Sequence, residues 1–389
     1  MFDWLFAKKI LCPYCFTMFK LREAPYRCTQ TLRCPPELDR VRQQRWRDAV
    51  LMGRVLPSAS KGKCSRCGYD QALRICPNCH MEIPPSVAQS KNMMFAVVGS
   101  KDAGKSHFFG VLVAQLENHV GPALDLLISS VNDDTTKRFN KNYKDPLFKR
   151  GETVQGTTSA MSDIDGQKPL IFSLQFSKKS RFGTRKHINK SITLVFFDTA
   201  GEDLISEQAM NNVNRYIGMA DGIILLIDPL QLPVVRNQLP QGTPLPPQQP
   251  DPSEIIGRMT TLIRTTRRLK STQQIATPLA IALTKLDALA PLLDPQNQIQ
   301  ASANHETGFD LKDHQSVNQE LCNQLRQWQG TRILQQVTTD YRNHAFFALS
   351  ALGAQPLNQK LQGRLQPRRV EDPFLWLLHR HGLLGTSGK

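Results

Sequence analysis

The sequence predicts an α/β protein built on a mostly parallel sheet with one antiparallel strand, preceded by a small cysteine-rich unit. Three observations carry this. Apolar, β-branched runs at 95–98, 192–197, 223–227, 279–283 and 345–349 alternate with segments of helical spacing, the pattern of parallel strands under crossover helices. The runs at 170–176 and 192–197 are separated by a short basic stretch, which reads as a hairpin and therefore as an antiparallel pair. Eight of the nine cysteines precede residue 80, mostly as Cys-x-x-Cys.

A length of 389 residues suggests two or three domains. The natural division is a cysteine-rich unit over 1–90 and a larger unit over 91–389, with Pro84 to Ser90 as the linker. No apolar run approaches the ~20 residues of a membrane span. Met1 to Ile10 is apolar but carries Asp3, and no small-residue cleavage site follows. It reads as a packed terminus, so the expectation is a cytoplasmic protein.

The formal charge is +16, and residues 1–92 hold 16 basic and 7 acidic side chains, an excess of +9. Two zinc ions with four thiolates each would lower that excess to about +5. Such a charge steers anions and aids solubility without naming a partner.

In a cytoplasmic chain, repeated Cys-x-x-Cys pairs mean metal rather than disulfides. Cys12, Cys15, Cys28 and Cys34 form a first set; Cys64, Cys67, Cys76 and Cys79 form a second, C-x2-C-x8-C-x2-C, that reads as a small zinc ribbon. Pairing within each set is favoured on proximity, with a crossed arrangement as the alternative. His80 is a bystander beside a completed set, and redox chemistry is the rival reading of the pairs. Between the sets, Pro36 to Gly53 has a helical pattern with Val41, Trp46, Ala49 and Val50 facing inward.

The strand at 95–98 runs into Gly99-x-x-x-x-Gly104-Lys105-Ser106, then a helix over about 105–119. Strand, Gly-rich turn and helix N-terminus together aim backbone N–H groups and a positive dipole end at phosphate oxygens. Lys105 then reaches the β/γ-phosphates and the Ser106 hydroxyl suits Mg²⁺. From Ser129 to Met161 the chain is polar and reads as a long irregular loop of the functional kind. The basic stretch 177–191 reads as a solvated hairpin tip.

The strand ending at Phe197 delivers Asp198-Thr199-Ala200-Gly201-Glu202. A carboxylate leaving a buried strand beside a phosphate loop can hold Mg²⁺ through water, and Gly201 lets its N–H approach a γ-phosphate. After the strand ending at Asp228, Pro229 to Pro252 is Pro/Gln-rich and is expected to be flexible or polyproline-like. Glu254 to Lys270 is a basic helix, read as a solvent face. The next strand ends in Thr284-Lys285-Leu286-Asp287. Lys285 can lie over a purine ring, and Asp287 can accept from guanine N1–H and N2–H₂, donors that adenine lacks. The last strand ends in Ser350-Ala351-Leu352, and Asp372 to His379 reads as a closing helix opened by Pro373.

These four motifs, in this order and each at the C-terminal end of a strand, resemble the small-GTPase-type (TRAFAC-like, Ras-like) P-loop NTPase fold over roughly residues 93–380. With the zinc-knuckle N-terminus and the Asp372-Pro-Phe-Leu-Trp-Leu-Leu ending, the chain is similar to the bacterial double-GTPase group of multi-component conflict or defence systems. The resemblance implies GTP/GDP, Mg²⁺ and two Zn²⁺ as cofactors, and protein partners. Gly99, Ser100, Lys101, Asp102, Ala103, Gly104, Lys105, Ser106 and His107 would hold phosphate, with Lys105, Asp198, Gly201 and Glu202 as the catalytic group. Thr284, Lys285 and Asp287 would hold guanine, and Ser350, Ala351 and Leu352 the O6 side of the base. Ser106, Asp198 and a switch threonine (Thr157 or Thr158, with Thr153 as a third candidate) would serve Mg²⁺.

Three departures from that pattern point to a slow or partner-dependent enzyme. Thr284 stands for the usual Asn, Glu202 for a water-positioning Gln, and Lys101 and Asp102 put charge where Gly is common. Two other classes stand beside a GTP-hydrolysing switch: a nucleotide-binding pseudo-GTPase scaffold, and a nucleic-acid module working through zinc and basic segments, whose signature is a steep salt dependence.

Overall fold

The computed structural model describes residues 9–46, 51–89, 91–155, 168–179, 186–196, 213–303 and 305–387. Its frame is a seven-stranded sheet: β1 (Lys91–Gly99), β2 (Leu126–Ser130), β3 (Leu170–Lys179), β4 (Lys186–Phe196), β5 (Gly222–Ile227), β6 (Leu279–Leu283) and β7 (His344–Ala348). The order across it is β7-β6-β5-β1-β4-β3-β2. β1 pairs in parallel with β4 through Lys91–Met94 and with β5 through Phe95–Gly99. β5, β6 and β7 continue in parallel, and β3 runs antiparallel to both β4 and β2. The mostly parallel sheet with its hairpin is therefore as expected, extended by the edge strand β2.

Helices cover both faces: α1 (Lys105–Asn118), α2 (Asp133–Phe139), α3 (Val213–Met219), α4 (Pro252–Arg267), α5 (Leu311–Gln327), α6 (Thr331–Asp340) and α7 (Asp372–Arg380). Each position of β5, Gly-Ile-Ile-Leu-Leu-Ile, is buried, as a parallel strand covered on both sides must be. Alternation along β1 sorts the core in two. Met94, Ala96 and Val98 pack with α3, α4, α5 and α6, whereas Met93, Phe95 and Val97 pack with α1 and α7. The first of these cores also takes in Ile10, Tyr14, Phe16 and Phe19 of the cysteine-rich unit, and the Phe16 ring lies 5.6 Å from that of Tyr216 on α3. Residues 85–89, read as a linker, form a helical turn with Val87 fully buried.

The stretch read as a long irregular loop is largely ordered. Asn132 caps α2 by accepting from the Thr135 N–H at 2.8 Å, and helical structure with wider turns continues over Asn140–Arg150. Phe139, Tyr143 and Leu147 are buried four residues apart, on the face turned to α1. The helical pattern over 36–53 shrinks to Arg40–Trp46, flanked by Glu37–Leu38 pairing with Leu51–Met52; Trp46 is buried and Val41 exposed. Ala49 and Val50, and the hairpin tip over 180–185, lie outside the described residues. The Pro/Gln-rich stretch is fastened rather than flexible. Buried Gln231 donates to the Pro247 carbonyl at 3.1 Å and accepts from the Gln249 N–H at 2.9 Å, while Arg236 donates to the Pro246 carbonyl at 3.1 Å. The basic face of α4 is also employed: Arg267 donates to the carbonyls of Gly218 and Ala220, capping α3, and Arg264 pairs with Asp340 at 3.0 Å.

Gly99 and Gly104 are required for different reasons. A Cβ at Gly99 would stand 2.6 Å from the Leu226 carbonyl oxygen of β5, whereas Gly104 has open space but sits at φ +85°. Gly99→Ala is therefore expected to push β1 and β5 apart and cost about 2–4 kcal/mol in denaturant unfolding, and Gly104→Ala, which meets only backbone strain, about 1–2 kcal/mol. Equal costs for the two would contradict this division.

Candidate functional site

The cysteines form two quartets. The sulfurs of Cys12, Cys15, Cys76 and Cys79 lie within 4.8 Å of one another, as do those of Cys28, Cys34, Cys64 and Cys67. The crossed pairing is thus the one adopted, against the local pairing favoured on proximity, and Cys64 to Cys79 is not a self-contained ribbon. Sulfur–sulfur distances are 3.7 Å for Cys12–Cys79 and Cys15–Cys76, 3.6 Å for Cys28–Cys67 and 3.9 Å for Cys34–Cys64. Four sulfurs around one zinc at about 2.3 Å stand roughly 3.8 Å apart, so both quartets fit a tetrahedral thiolate site.

Three of the four cysteine pairs share one turn. In Cys12–Cys15, Cys64–Cys67 and Cys76–Cys79 the first cysteine's carbonyl accepts from the N–H four residues on, and that residue (Phe16, Gly68 or His80) has φ between +53° and +74°. Cys28 and Cys34 form the irregular fourth pair, with the Cys34 N–H on the Gln30 carbonyl. Burial pushes the Cys28 thiol up to about 12. Burial also opposes ionisation of Cys64, but the amides of Cys67 and Arg66 bring that thiol down to about 7. His80 belongs to neither quartet: its Nδ1 contacts the Asp39 carboxylate at 2.9 Å, which also pairs with buried Arg27 at 2.8 Å.

On the larger unit, the phosphate-loop candidate follows β1 as expected and α1 begins at Lys105. The Lys105 ammonium is folded into the loop, donating to the carbonyls of Gly99 at 3.1 Å and Ser100 at 2.8 Å. Ala103 is fully buried, and Lys101 and Asp102 are exposed. His107 turns its Nε2 to accept from the Val154 N–H at 3.1 Å, tying α1 to residues 151–155. Those residues precede Thr157 and Thr158.

The base-side candidates meet at the ends of β6 and β7. Ser350 Oγ donates to Asp287 Oδ1 at 2.5 Å, which orients the carboxylate. Thr284, through its N–H at 2.9 Å and hydroxyl at 3.3 Å, donates to the Ile227 carbonyl at the end of β5. Lys285 pairs with Asp228 at 2.7 Å, and the Asp228 side chain is fully enclosed. The loop is therefore fastened to β5 through Thr284 and the Lys285–Asp228 pair, a role the sequence did not assign to Asp228. The signal was present: a carboxylate ending the strand next to the phosphate-loop strand.

Both groups line one cavity of about 950 Å³, which takes in Lys101, Asp102, Gly104, Lys105, Ser106 and His107 on one side and Thr284, Lys285, Asp287, Ser350, Ala351 and Leu352 on the other. Thr153 lines it too. Thr157, Thr158, Asp198, Gly201 and Glu202 lie outside the described residues.

The family model described as Double-GTPase 2 matches residues 93–335, more than half of the chain. The chain belongs to this family. Among curated proteins, this Double-GTPase 2 member is similar to the "Putative ESX-1 scaffolding and assembly protein SaeC" of Mycolicibacterium smegmatis. The two are 27% identical over 346 residues, spanning 84% of this chain and 85% of the relative. Among solved structures, the Arl6 BBS3 small GTPase from Trypanosoma brucei aligns over 75% of this chain and 98% of its own, at 10% identity and TM-score 0.30. The GTP-bound signal recognition particle receptor SRb–SRX complex from Chaetomium thermophilum covers 69% and 94%, at 12% identity and TM-score 0.28. For a bacterial selenocysteine-specific elongation factor the values are 13% identity and TM-score 0.29, with 75% of this chain matching 29% of that one. No helix among the described residues of this family member is long and apolar enough to cross a membrane.

Proposed function

We propose that this Double-GTPase 2 protein binds Mg·GTP in the cavity and hydrolyses it slowly, or with a partner's help, as a switch within a multi-protein assembly. The observation that carries the reading is the convergence of three sequence-distant loops, at 101–107, 284–288 and 349–352, on one 950 Å³ space. Lys105 exchanges its two carbonyl partners for β/γ-phosphate oxygens, and the loop amides take the remaining charge. Asp287, oriented by Ser350, accepts from the guanine edge, and the stem of Lys285, held by Asp228, covers the ring face. Ser106, Asp198 and Thr157 or Thr158 would hold Mg²⁺, which neutralises charge on the phosphate oxygens when bound. Gly201 would meet the γ-phosphate through its N–H. Glu202, a carboxylate that cannot donate to the attacking water as an amide does, makes turnover slow without a group supplied in trans.

Equilibrium titration with GTP, GDP and ATP in Mg²⁺ tests this, together with multiple-turnover phosphate release. Tighter binding of guanine nucleotides is expected, with release abolished in Lys105→Ala and affinity lowered by roughly 10- to 100-fold, the worth of a charged hydrogen bond to phosphate. Equal affinity for ATP and GTP would overturn the reading.

A scaffold role is the second reading, supported by the described role of the mycobacterial relative and by the surface of the cysteine-rich unit. Six of the ten large apolar side chains exposed among the described residues are there: Met18, Leu32, Leu38, Val41, Leu51 and Leu73. A protein that binds GTP but releases no phosphate over many turnovers would fit this reading alone.

A further inference from the structure

The cavity has walls that none of the four nucleotide motifs supplies. Pro244, Leu245 and Pro246 line it from the Pro/Gln-rich stretch, and Ala354, Gln355, Pro356 and Gln359 line it from the segment after β7. Resting on the guanine-nucleotide reading above, we propose that Pro244–Pro246 and residues 353–361 are a second binding wall, which covers the nucleoside half of the bound nucleotide and sets its release rate.

Position and chemistry both select the nucleoside half. Residues 353–361 continue directly from the base-side loop: the Gly353 N–H donates to Ser350 Oγ at 2.9 Å, and that oxygen donates to Asp287. A backbone pair between Ser350 and Arg368 closes the stem of this excursion. None of the residues of these two stretches that line the cavity is charged, and Lys360, the one charged residue of 353–361, is not among them. That suits a base and ribose, whereas phosphate needs the cations and amides found at 101–107. Leu245 is 41% exposed at the rim, apolar area that a bound nucleoside would cover.

The wall is already built. Gln355 Nε2 donates to the Pro244 carbonyl at 3.0 Å and so joins the two stretches. A tight turn from Leu357 to Lys360, with Asn358 at φ +49° and Gln359 at +63°, is closed by reciprocal 2.9 Å backbone bonds. Its far side reaches the phosphate end of the cavity, where the Thr153 N–H donates to the Gln359 carbonyl and the Leu361 N–H to that of Gly151, both at 2.9 Å. The wall thus spans from Asp287 to the segment leading into Thr157, and its prolines and fastenings leave little freedom to lose on binding.

Dissociation of tritium-labelled GDP, chased with excess unlabelled GDP, tests the proposal in the full-length, zinc-loaded protein. Leu245→Ser with Gln355→Ala is expected to speed release by about tenfold or more while the preference for GDP over ADP, set by Asp287, is kept. In the unmodified protein, GDP is expected to slow amide hydrogen exchange over 353–361, which keeps the proposal testable if the double variant folds poorly. Release within twofold of wild type, or unchanged exchange over 353–361 in protein that binds GDP, overturns the second wall alone. Wild-type protein that binds no guanine nucleotide overturns this proposal and the functional reading together.

Discussion

A variant with serine at Cys12, Cys15, Cys76 and Cys79 is expected to retain one equivalent of zinc, bound by Cys28, Cys34, Cys64 and Cys67. Pairing within each half of the unit would leave none, because both sites would lose two ligands, so metal content alone separates the arrangements. The two variants that each remove one quartet should also differ in stability. The first quartet is buried in the same core as Tyr14, Phe16, Met94 and Tyr216, and Tyr14 accepts from the Asn132 amide at 3.1 Å next to α2. A structural zinc site contributes on the order of 10 kcal/mol to the fold that contains it. Losing the first quartet is therefore expected to detach the whole cysteine-rich unit and to lower the melting temperature of the larger unit. The second quartet packs with a small local cluster, Tyr26 and Leu56, so its loss should stay within residues 9–89. Chelation of the unmodified protein gives an independent check: Cys12, Cys15, Cys76 and Cys79 should become alkylatable as one group.

Asp287→Ala is expected to lower GTP affinity by roughly 10²- to 10⁴-fold, the worth of two hydrogen bonds to a charged acceptor at about 1.5–3 kcal/mol each. ATP affinity should change little, because adenine brings no donors to that carboxylate, and the preference for guanine should disappear. Ser350→Ala leaves the carboxylate but removes the 2.5 Å bond that orients it, so its effect should be about tenfold or less and in the same direction. Isothermal titration with GTP and ATP measures both. Retained guanine preference in Asp287→Ala would remove Asp287 from the base site.

Much of this site was legible because its parts are local. A strand, a Gly-rich turn and a helix in immediate succession make one local unit, so the strand–turn–helix around Gly99 to Ser106 could be read directly, as could the ends of β6 and β7. The helical segment over 133–150 was less legible because its cap, Asn132, and its apolar face, Phe139, Tyr143 and Leu147 at four-residue spacing, are embedded in a stretch otherwise as polar as a loop. Gln231 lacked even that. A buried glutamine that fastens a distant proline-rich stretch has no periodicity to betray it, since its partners are backbone groups 16 and 18 residues away.

The sequence by itself determined the cysteine-rich character of the N-terminal unit, the parallel sheet and the motifs that converge on the cavity, since each depends on residue chemistry within a short window. Tertiary structure alone decided which cysteines meet and what walls the cavity. Tyr26–Arg27 pairs antiparallel with Leu73–Arg74, Tyr26 opposite Arg74 and Arg27 opposite Leu73. An antiparallel pair sets the residues before one strand beside the residues after the other, so Cys12 and Cys15 meet Cys76 and Cys79, while Cys28 and Cys34 meet Cys64 and Cys67. Proximity along the chain pointed to local pairing, and two residues of strand register overruled it.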